Sequence, residues 1–429
     1  MPPHDTAGGG RRKRPFPAAF CSHKPLFFQK GTCYTQIKWM RLPRREAAAE
    51  KNEVFCMIIQ NALVYTPRHT FERGTIIIRD GRIVPFAAPE EGEEVLDAEG
   101  LYALPGLVDI HFHGAMGKDF CDGTEEAIQT LADFEASKGV LAICPATMTY
   151  PEEILNKVMD AAAAHKNGKG ADLVGINMEG PFISPKKVGA QNPEYVQGAD
   201  AAMFRRLQKR AGGLIKLVDV APEEPGNLDF IKECHNEVRI SIAHTCTDYD
   251  TAVKAFEAGA THMTHLYNAM PGIHHRKPGP IGAGSERENV VAELICDGQH
   301  IHPSAVRMAF KLFPGRICLI SDALRCCGMP DGQYTLGGQD VFLQNCVARL
   351  ADGTIAGSAT NLYDCMRKAV EFGIPKEQAI LSATSVPAKE LGQEAEIGEI
   401  SSGKLADFVV CDEELNRKHV YLSGTQLDS

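Results

Sequence analysis

The sequence predicts an α/β protein: a (β/α)₈ TIM-like barrel over residues 105–395, joined to a small β-sandwich domain that is built from both chain ends, residues 55–104 and 396–429. Two observations predict this organisation. Short apolar runs alternate with longer helix-like stretches through the middle of the chain, which is typical of repeated βα units around a parallel sheet. Short strand patterns stand near both ends of the chain, and the two ends of a domain often lie close together.

The composition of residues 1–54 predicts a disordered basic extension. Residues 1–52 hold 11 Lys or Arg against 3 acidic residues and show no hydrophobic periodicity. The run Arg11-Arg12-Lys13-Arg14 could also belong to a targeting or polyanion-binding tail, although no continuous apolar stretch follows it, as a secretion signal requires. A third interpretation is that the natural start is Met57 and that the preceding residues are read through.

The chain ends supply the strands of the predicted small domain. Apolar, β-branched runs occupy residues 54–59 and 74–84, and the Asp80-Gly81 step inside the second run is a hairpin signal. Residues 403–410 and 418–422 give the same pattern near the other end. We therefore expect one small sheet assembled from two separated segments.

Eight strand candidates lie between these ends. They are residues 106–110, 140–144, 173–178, 215–220, 239–243, 260–264, 291–296 and 316–320. Eight strands with intervening helices over about 215 residues fit a closed barrel, typically ~250 residues long, better than an open sheet.

Charge is unevenly distributed along the chain. The chain has 45 Lys or Arg and 55 Asp or Glu; without the 11 and 3 in residues 1–52, 34 and 52 remain, a net charge of −18. Such an acidic body argues against nucleic-acid binding and repels anionic substrates at long range. Any phosphate must therefore be bound by a local cluster of donors.

Cysteine usage and hydropathy indicate the compartment. The 14 cysteines are scattered and include no CxxC pair, and a chain of 429 residues can fold without disulfides. Reduced thiols and a cytoplasmic location are therefore expected. No apolar run approaches the roughly 20 residues of a membrane-spanning helix, so no membrane partner is expected.

Six ionisable residues stand at or just after the carboxyl ends of five strand candidates. They are His111, His113, Glu179, His244, His265 and Asp322. Active sites of (β/α)₈ barrels are built at this face, so we expect the six side chains to meet at one mouth.

The spacing of the histidines favours a metal site. His111 and His113 are two residues apart, which places both imidazoles on the same side of a strand. With Glu179, His244 and His265 they form a nitrogen and oxygen ligand set for Zn²⁺ or Fe²⁺, cations that acidify a bound water. No thiolate motif lies nearby, which argues against a purely structural zinc site.

Four segments resemble a known family. Residues 105–114, Pro-Gly-Leu-Val-Asp-Ile-His-Phe-His-Gly, resemble the metal-binding opening of the amidohydrolase superfamily. Residues 178–182 (Met-Glu-Gly-Pro-Phe), 264–271 (Thr-His-Leu-Tyr-Asn-Ala-Met-Pro) and 321–323 (Ser-Asp-Ala) are similar to its N-acetylglucosamine-6-phosphate deacetylase branch. The resemblance extends over about residues 55–425.

The resemblance implies a role for each site residue. Glu179, His244 and His265 would hold the main metal, and Asp322 would be the catalytic acid and base. His111 and His113, which some family members replace, would permit a second ion, so one or two divalent metals, Zn or Fe, are implied per chain. The substrate-binding residues implied are Ala190, Gln191 (His in some relatives), Asn268, Ala269, Arg276, His300, Ile355, Ala356 and Gly357.

The implied activity is metal-dependent hydrolysis of the N-acetyl group of N-acetylglucosamine 6-phosphate, giving glucosamine 6-phosphate and acetate in amino-sugar catabolism. Arg276 and His300 would then bind the phosphate. The resemblance also implies a homodimer. Two alternatives stay open: another amidohydrolase acting on a cyclic or non-phosphorylated amide, for which Arg276 and Asn268 would have no phosphate to bind, and a non-catalytic relic barrel.

Overall fold

The computed structural model describes residues 56–86 and 93–427 of the chain. The predicted basic extension, residues 1–54, lies outside the described residues. Among the described residues, no helix is both long enough and apolar enough to span a bilayer. All cysteines in this part of the chain are free thiols.

Strands from both chain ends form one sheet. Its strands are Cys56–Tyr65, Phe71–Arg79, Arg82–Val84, Glu94–Asp97, Tyr102–Pro105, Phe408–Cys411, Arg417–Leu422 and Thr425–Gln426. The two segments join where Tyr102–Pro105 pairs antiparallel with Phe408–Cys411. The predicted β-sandwich is not confirmed, because these strands lie side by side in a single sheet.

The turn between the second and third of these strands follows from its sequence. Asp80 and Gly81 have φ of 50° and 73°, and Arg79 pairs with Arg82 across them. A two-residue hairpin turn with both central residues at positive φ favours this residue pair, which is why the Asp-Gly step predicts it.

The middle of the chain forms a TIM-like barrel, as the apolar runs predict. Its eight strands are Leu107–Asp109, Val140–Ile143, a third strand in two pieces (Asp172–Leu173 and Ile176–Met178), Ile215–Val220, Arg239–Ile242, His262–Met263, Val291–Ile295 and Ile317–Ile320. Neighbours pair in parallel, and a bridge between Ala146 and Asn177 connects the second strand to the third. The N–H of Asp322 donates to the carbonyl of His111 (2.9 Å), which joins the eighth strand to the first.

Helices follow the strands around the barrel. In the described ranges they are Glu125–Ser137, Glu152–Ala164, Ala201–Arg210, Asn227–Cys234, Tyr249–Ala258, Gly279–Ser285, Pro303–Leu312, Leu362–Glu371, Lys376–Ala383 and Ser385–Glu390. Several of these helices begin at a Thr or Asp residue whose side chain caps the helix N-terminus. Thr124, Asp200 and Asp248 each accept a hydrogen bond from a backbone N–H of the first helical turn.

An antiparallel sheet, which the strand candidates did not include, follows the eighth barrel strand. It consists of Gly332–Leu336, Gln339–Gln344, Val347–Leu350 and Ile355–Ser358. We call it the inserted sheet. Its last strand returns to the barrel mouth, where the N–H of Ser358 donates to the carbonyl of Asp322 (2.8 Å).

The core of the small domain and the core of the barrel share the sheet that is built from both chain ends. Ala103, Phe408 and Val410 pack in a cluster within the small domain. Their strand neighbours Leu104 and Val409 pack in the main cluster of the barrel. Because successive residues of a strand point to opposite faces, this alternation places one face of the sheet against the barrel.

Candidate active site

The six residues that end barrel strands meet at the carboxyl face, where the sequence pattern places them. All six are at most 8% exposed: His111, His113, Glu179, His244, His265 and Asp322. Parallel strands bring their carboxyl ends to the same rim, so residues far apart in the chain become neighbours there.

Glu179, His244 and His265 form the first of two candidate ligand groups. The Nε2 atoms of His244 and His265 each lie 3.1 Å from Glu179 Oε1 and 3.0 Å from each other. Each ligand atom comes from a different strand end, so three barrel strands fix the geometry of this group.

His111, His113 and Glu179 form the second group. His111 Nε2 lies 3.4 Å from Glu179 Oε1, and His113 Nε2 lies 3.2 Å from Glu179 Oε2. Glu179 therefore belongs to both groups, with one oxygen facing His244 and His265 and the other facing His113.

The electrostatics of the site favour positive charge. Burial raises the pKa of Glu179, but the charge of His111 and hydrogen bonds from the imidazoles outweigh burial and hold that pKa well below its ordinary value. Burial lowers the pKa of His113, but hydrogen bonds to Asp322 and Glu179 raise it to about 10. The cluster therefore stabilises a cation, whether protons or a metal ion carry the charge.

The donor set fits a divalent metal ion. Ring nitrogens and carboxylate oxygens converge within 4.8 Å in each group. The buried Nε2 of His111 has no hydrogen-bond partner among the described residues, although a carboxylate lies close by. A site of imidazole nitrogens and carboxylate oxygens, without sulfur ligands, suits Zn²⁺ or Fe²⁺.

Neighbouring groups hold these ligands in place. His244 Nδ1 donates to the carbonyl of Lys187 (2.8 Å), which leaves Nε2 to face Glu179. The amide of Gln191 donates to Glu179 Oε2 (2.5 Å) and its oxygen accepts from the N–H of Thr149 (2.7 Å). Gln191, predicted to contact substrate, thus also orients the carboxylate that both groups share.

Backbone strain is concentrated at this rim. His244, His265 and Asp322 have φ of 41°, 27° and 49°, in the left-handed region that non-glycine residues rarely adopt. Each such residue costs on the order of 1–3 kcal/mol and persists where the surrounding structure holds it. Three such residues at one site indicate that the placement of their side chains outweighs the cost of the unfavourable backbone conformation.

Asp322 faces the second ligand group from the eighth strand. Its Oδ1 lies 3.4 Å from His113 Nε2 and 3.8 Å from His111 Nε2. Its side chain borders the cavity described next, so the carboxylate can contact both the ligand groups and a bound molecule.

A cavity of about 410 Å³ opens over the ligand groups, within the range of small-molecule sites. Seven of the predicted substrate residues line it: Ala190, Gln191, Asn268, Ala269, His300, Ile355 and Ala356. Two do not. Gly357 is buried behind the wall, and Arg276 is exposed in a loop where it contacts His275.

Sequence reasoning missed several lining residues, above all Lys186 and Lys187. They follow Glu179 in the loop after the third strand, and their position after a barrel strand was the signal that could have identified them. Leu336 and Thr354 also line the cavity, because the inserted sheet covers it from one side.

His300 lies at the cavity wall and hydrogen bonds to Asp297. Its Nδ1 donates to Asp297 Oδ2 (2.7 Å), and its backbone N–H donates to Asp297 Oδ1 (3.0 Å). Burial lowers the pKa of His300, but the hydrogen bond and charge of Asp297 raise it above the ordinary value. Asp297 therefore favours the charged form of the imidazole, the form suited to an anionic group of a ligand.

Comparisons with known proteins agree with the site. Residues 102–427 match the model of the amidohydrolase family. The chain is 37% identical to N-acetylglucosamine-6-phosphate deacetylase of Bacillus subtilis, over 82% of this chain and 92% of the relative. It is 33% identical to N-acetylgalactosamine-6-phosphate deacetylase of Escherichia coli O157:H7, over 80% and 90%.

Solved structures give the same assignment. A variant of N-acetyl-D-glucosamine-6-phosphate deacetylase from Mycobacterium smegmatis, in complex with N-acetyl-D-glucosamine 6-phosphate, superposes with a TM-score of 0.80 at 31% identity, covering 87% of this chain and 99% of that chain. The enzyme from Thermotoga maritima gives 0.76 at 26% identity, covering 86% and 99%. The chain therefore belongs to the amidohydrolase family, in the branch that contains the N-acetylglucosamine-6-phosphate deacetylases.

Proposed function

We propose that the chain hydrolyses the N-acetyl group of N-acetylglucosamine 6-phosphate to give glucosamine 6-phosphate and acetate, in amino-sugar catabolism. The observation that carries the proposal is the pair of buried ligand groups around Glu179, which opens into the same cavity as Asp322. Relatives over most of the chain have this activity by name.

The metal would be held by the residues that converge on Glu179. Glu179, His244 and His265 form the main site in this proposal, and His111 and His113 with Glu179 form a second. A divalent ion such as Zn²⁺ or Fe²⁺ held by these residues would polarise the scissile carbonyl and acidify a water, which would make amide hydrolysis possible at neutral pH.

Asp322 would move the protons of the reaction. Its carboxylate takes a proton from the attacking water and then delivers a proton to the departing amine, which leaves only when protonated. His300, which lines the cavity and favours its charged form, is placed to donate to the oxygen on which negative charge develops.

The phosphate would be bound by cationic side chains at the cavity. Lys186 and Lys187 line it, and we add both to the predicted phosphate-binding residues. Arg276 lies in an exposed loop and does not line the cavity of its own chain, so its role stays a prediction. The homodimer and the cytoplasmic location also stay predictions.

The alternatives make different demands on this site. A cyclic-amide hydrolase would use the metal groups but has no need of anion-binding residues such as Lys187 and His300 at the cavity. A relic barrel has no need of a carboxylate and four imidazoles buried together at its mouth, an arrangement that is costly to keep. Both features favour the sugar-phosphate deacetylase.

Metal removal tests the proposal. Chelator-stripped chain should release no acetate from N-acetylglucosamine 6-phosphate, and Zn²⁺ should restore the activity. Glu179→Gln should bind less Zn²⁺ per chain, because a neutral amide attracts a divalent cation less than a carboxylate does. A stripped chain with full activity, or a Glu179→Gln variant with the parent's metal content, would contradict the assignment.

A further inference from the structure

Glu293 is a fully buried carboxylate in the seventh barrel strand, outside the residues that line the cavity. Its Oε2 lies 2.9 Å from His111 Nδ1 and accepts a hydrogen bond from the backbone N–H of His265 (3.1 Å). Its Oε1 lies 3.1 Å from His262 Nε2. One side chain thus contacts both candidate ligand groups from behind.

The contact with Glu293 decides which nitrogen of His111 faces the ligand group. A carboxylate beside Nδ1 places the ring proton there, so the lone pair of Nε2 remains free on the side of Glu179. The same carboxylate holds the backbone of His265. Rotation of Glu293 would release both ligands.

A second layer of buried contacts keeps Glu293 from rotating. His262, on the sixth barrel strand, places its Nδ1 2.7 Å from Glu390 Oε2. Glu390 in turn lies 3.3 Å from Arg239 Nε, at the start of the fifth strand. The chain His111, Glu293, His262, Glu390 and Arg239 therefore runs from the site through the barrel interior toward its opposite face.

We propose that Glu293 is a positioning residue for the metal centre, which fixes the ring of His111 and the backbone of His265 so that their Nε2 atoms meet Glu179. The proposal rests on the proposed function, because it gives Glu293 a purpose only if a cation binds there. Glu293 acts through the hydrogen bonds that its carboxylate accepts, not through contact with substrate.

Two substitutions separate hydrogen bonding from charge. Glu293→Met keeps the length of the side chain but removes both acceptors. Glu293→Gln keeps one oxygen, which can accept from His111 and His265, and its amide can donate to His262 Nε2 while His262 Nδ1 continues to donate to Glu390. We expect Glu293→Met to lose metal affinity and Glu293→Gln to retain most of it.

Zn²⁺ titration of chelator-stripped protein against a competing dye measures the effect. The second Zn²⁺ of the parent should bind roughly 10- to 100-fold more weakly in Glu293→Met and within a fewfold of the parent in Glu293→Gln. The control is Asp219→Asn, another buried carboxylate of the barrel, which contacts Thr264. The control should bind two Zn²⁺ ions like the parent.

Several outcomes would overturn the role of Glu293. These are a Glu293→Met variant that binds Zn²⁺ like the parent, an equal loss in Asp219→Asn, or a parent that binds only one ion. If Glu293→Met does not fold, ¹⁵N spectra of the Zn²⁺-loaded parent decide: the proton of His111 must reside on Nδ1, and a proton on Nε2 would contradict the role. No substrate enters these measurements, so an error in the assigned reaction leaves them unaffected.

Discussion

Asp322 owes its position to backbone and side-chain contacts around it. The hydroxyl of Ser321 donates to Asp109 (2.6 Å), the N–H of Asp322 donates to the carbonyl of His111 (2.9 Å), and the N–H of Ser358 donates to the carbonyl of Asp322 (2.8 Å). These contacts hold the backbone, while the carboxylate faces His113 and the cavity. This arrangement suits a residue that transfers protons, because its backbone is fixed while its carboxylate oxygens can contact a bound molecule.

Asp322→Asn should therefore abolish proton transfer without dismantling the site. Turnover should fall by about 10²–10⁴, the usual range for a general acid–base residue. Zn²⁺ per chain should match the parent, because the ligand groups remain intact. Steady-state kinetics with metal analysis of the same preparation checks this; a loss under tenfold at neutral pH would assign the proton transfer to another group.

The sequence identifies residues that carry a positional signal, such as a two-residue spacing or a place at the end of a predicted strand, and misses residues that carry none. The two-residue spacing of His111 and His113 predicts that both face the same side, and they do. Glu293 lies in an apolar strand and contacts His111, 182 positions away, so no local pattern identifies it. Lys187 holds His244 through a backbone carbonyl, a contact independent of its side chain.

The inserted sheet positions the loop of Asp322. Gly357 lies in its last strand, with φ of 157°, and an added Cβ would come within 2.7 Å of the Leu324 side chain and 3.0 Å of the carbonyl oxygen of Asp322. Only glycine leaves room for this approach. Gly357, predicted as a substrate contact, therefore packs behind Asp322.

Gly357→Ala should lower both stability and turnover. Overpacking of this kind costs about 1–3 kcal/mol, and it pushes directly on the backbone of the proton carrier. Thermal unfolding and kcat measure the two effects. Gly332→Ala in the same sheet is the control, since its Cβ would meet nothing closer than 3.7 Å; equal behaviour of the two variants would contradict the account.

The barrel strands could be predicted because they are buried on both faces. Residues 215–220, for example, are all buried in the structure and form a continuous apolar run apart from Lys216 and Asp219. The inserted sheet has a weaker signal. In Gln339–Gln344 only Val341 and Leu343 are buried, and such short alternation amid turn residues is hard to separate from a loop.

At the scale of the whole molecule, the two chain ends complete one sheet against the barrel. Short apolar runs predict that strands exist at each end, but their pairing depends on contacts more than 300 positions apart, such as Ala103 with Val410. Local patterns do not specify such a pairing. The predicted roles of the substrate-binding residues likewise depend on the family resemblance, because the side chain of a lining residue such as Ala190 does not by itself indicate a ligand.

Removal of residues 1–52 should leave folding and activity unchanged. The described strands of this sheet pair with one another from Cys56 onward without any contact from residues 1–52 being needed for the register. We expect the shortened chain to unfold at the parent's Tm and to keep its kcat/KM. A fall of the Tm by several degrees would assign the removed residues a part in the fold.

The measurement that tests the central claim most directly is kcat/KM for acetate release by the Zn²⁺-loaded chain on N-acetylglucosamine 6-phosphate and on unphosphorylated N-acetylglucosamine. A charge-assisted contact to the phosphate contributes about 1.5–3 kcal/mol, so the phosphorylated sugar should be preferred by roughly 10- to 150-fold. N-acetylgalactosamine 6-phosphate, the substrate named for one relative, serves as the comparison for the sugar. Equal rates on the two glucosamine derivatives, or a preference for the galactosamine derivative or a cyclic amide, would contradict the assigned substrate.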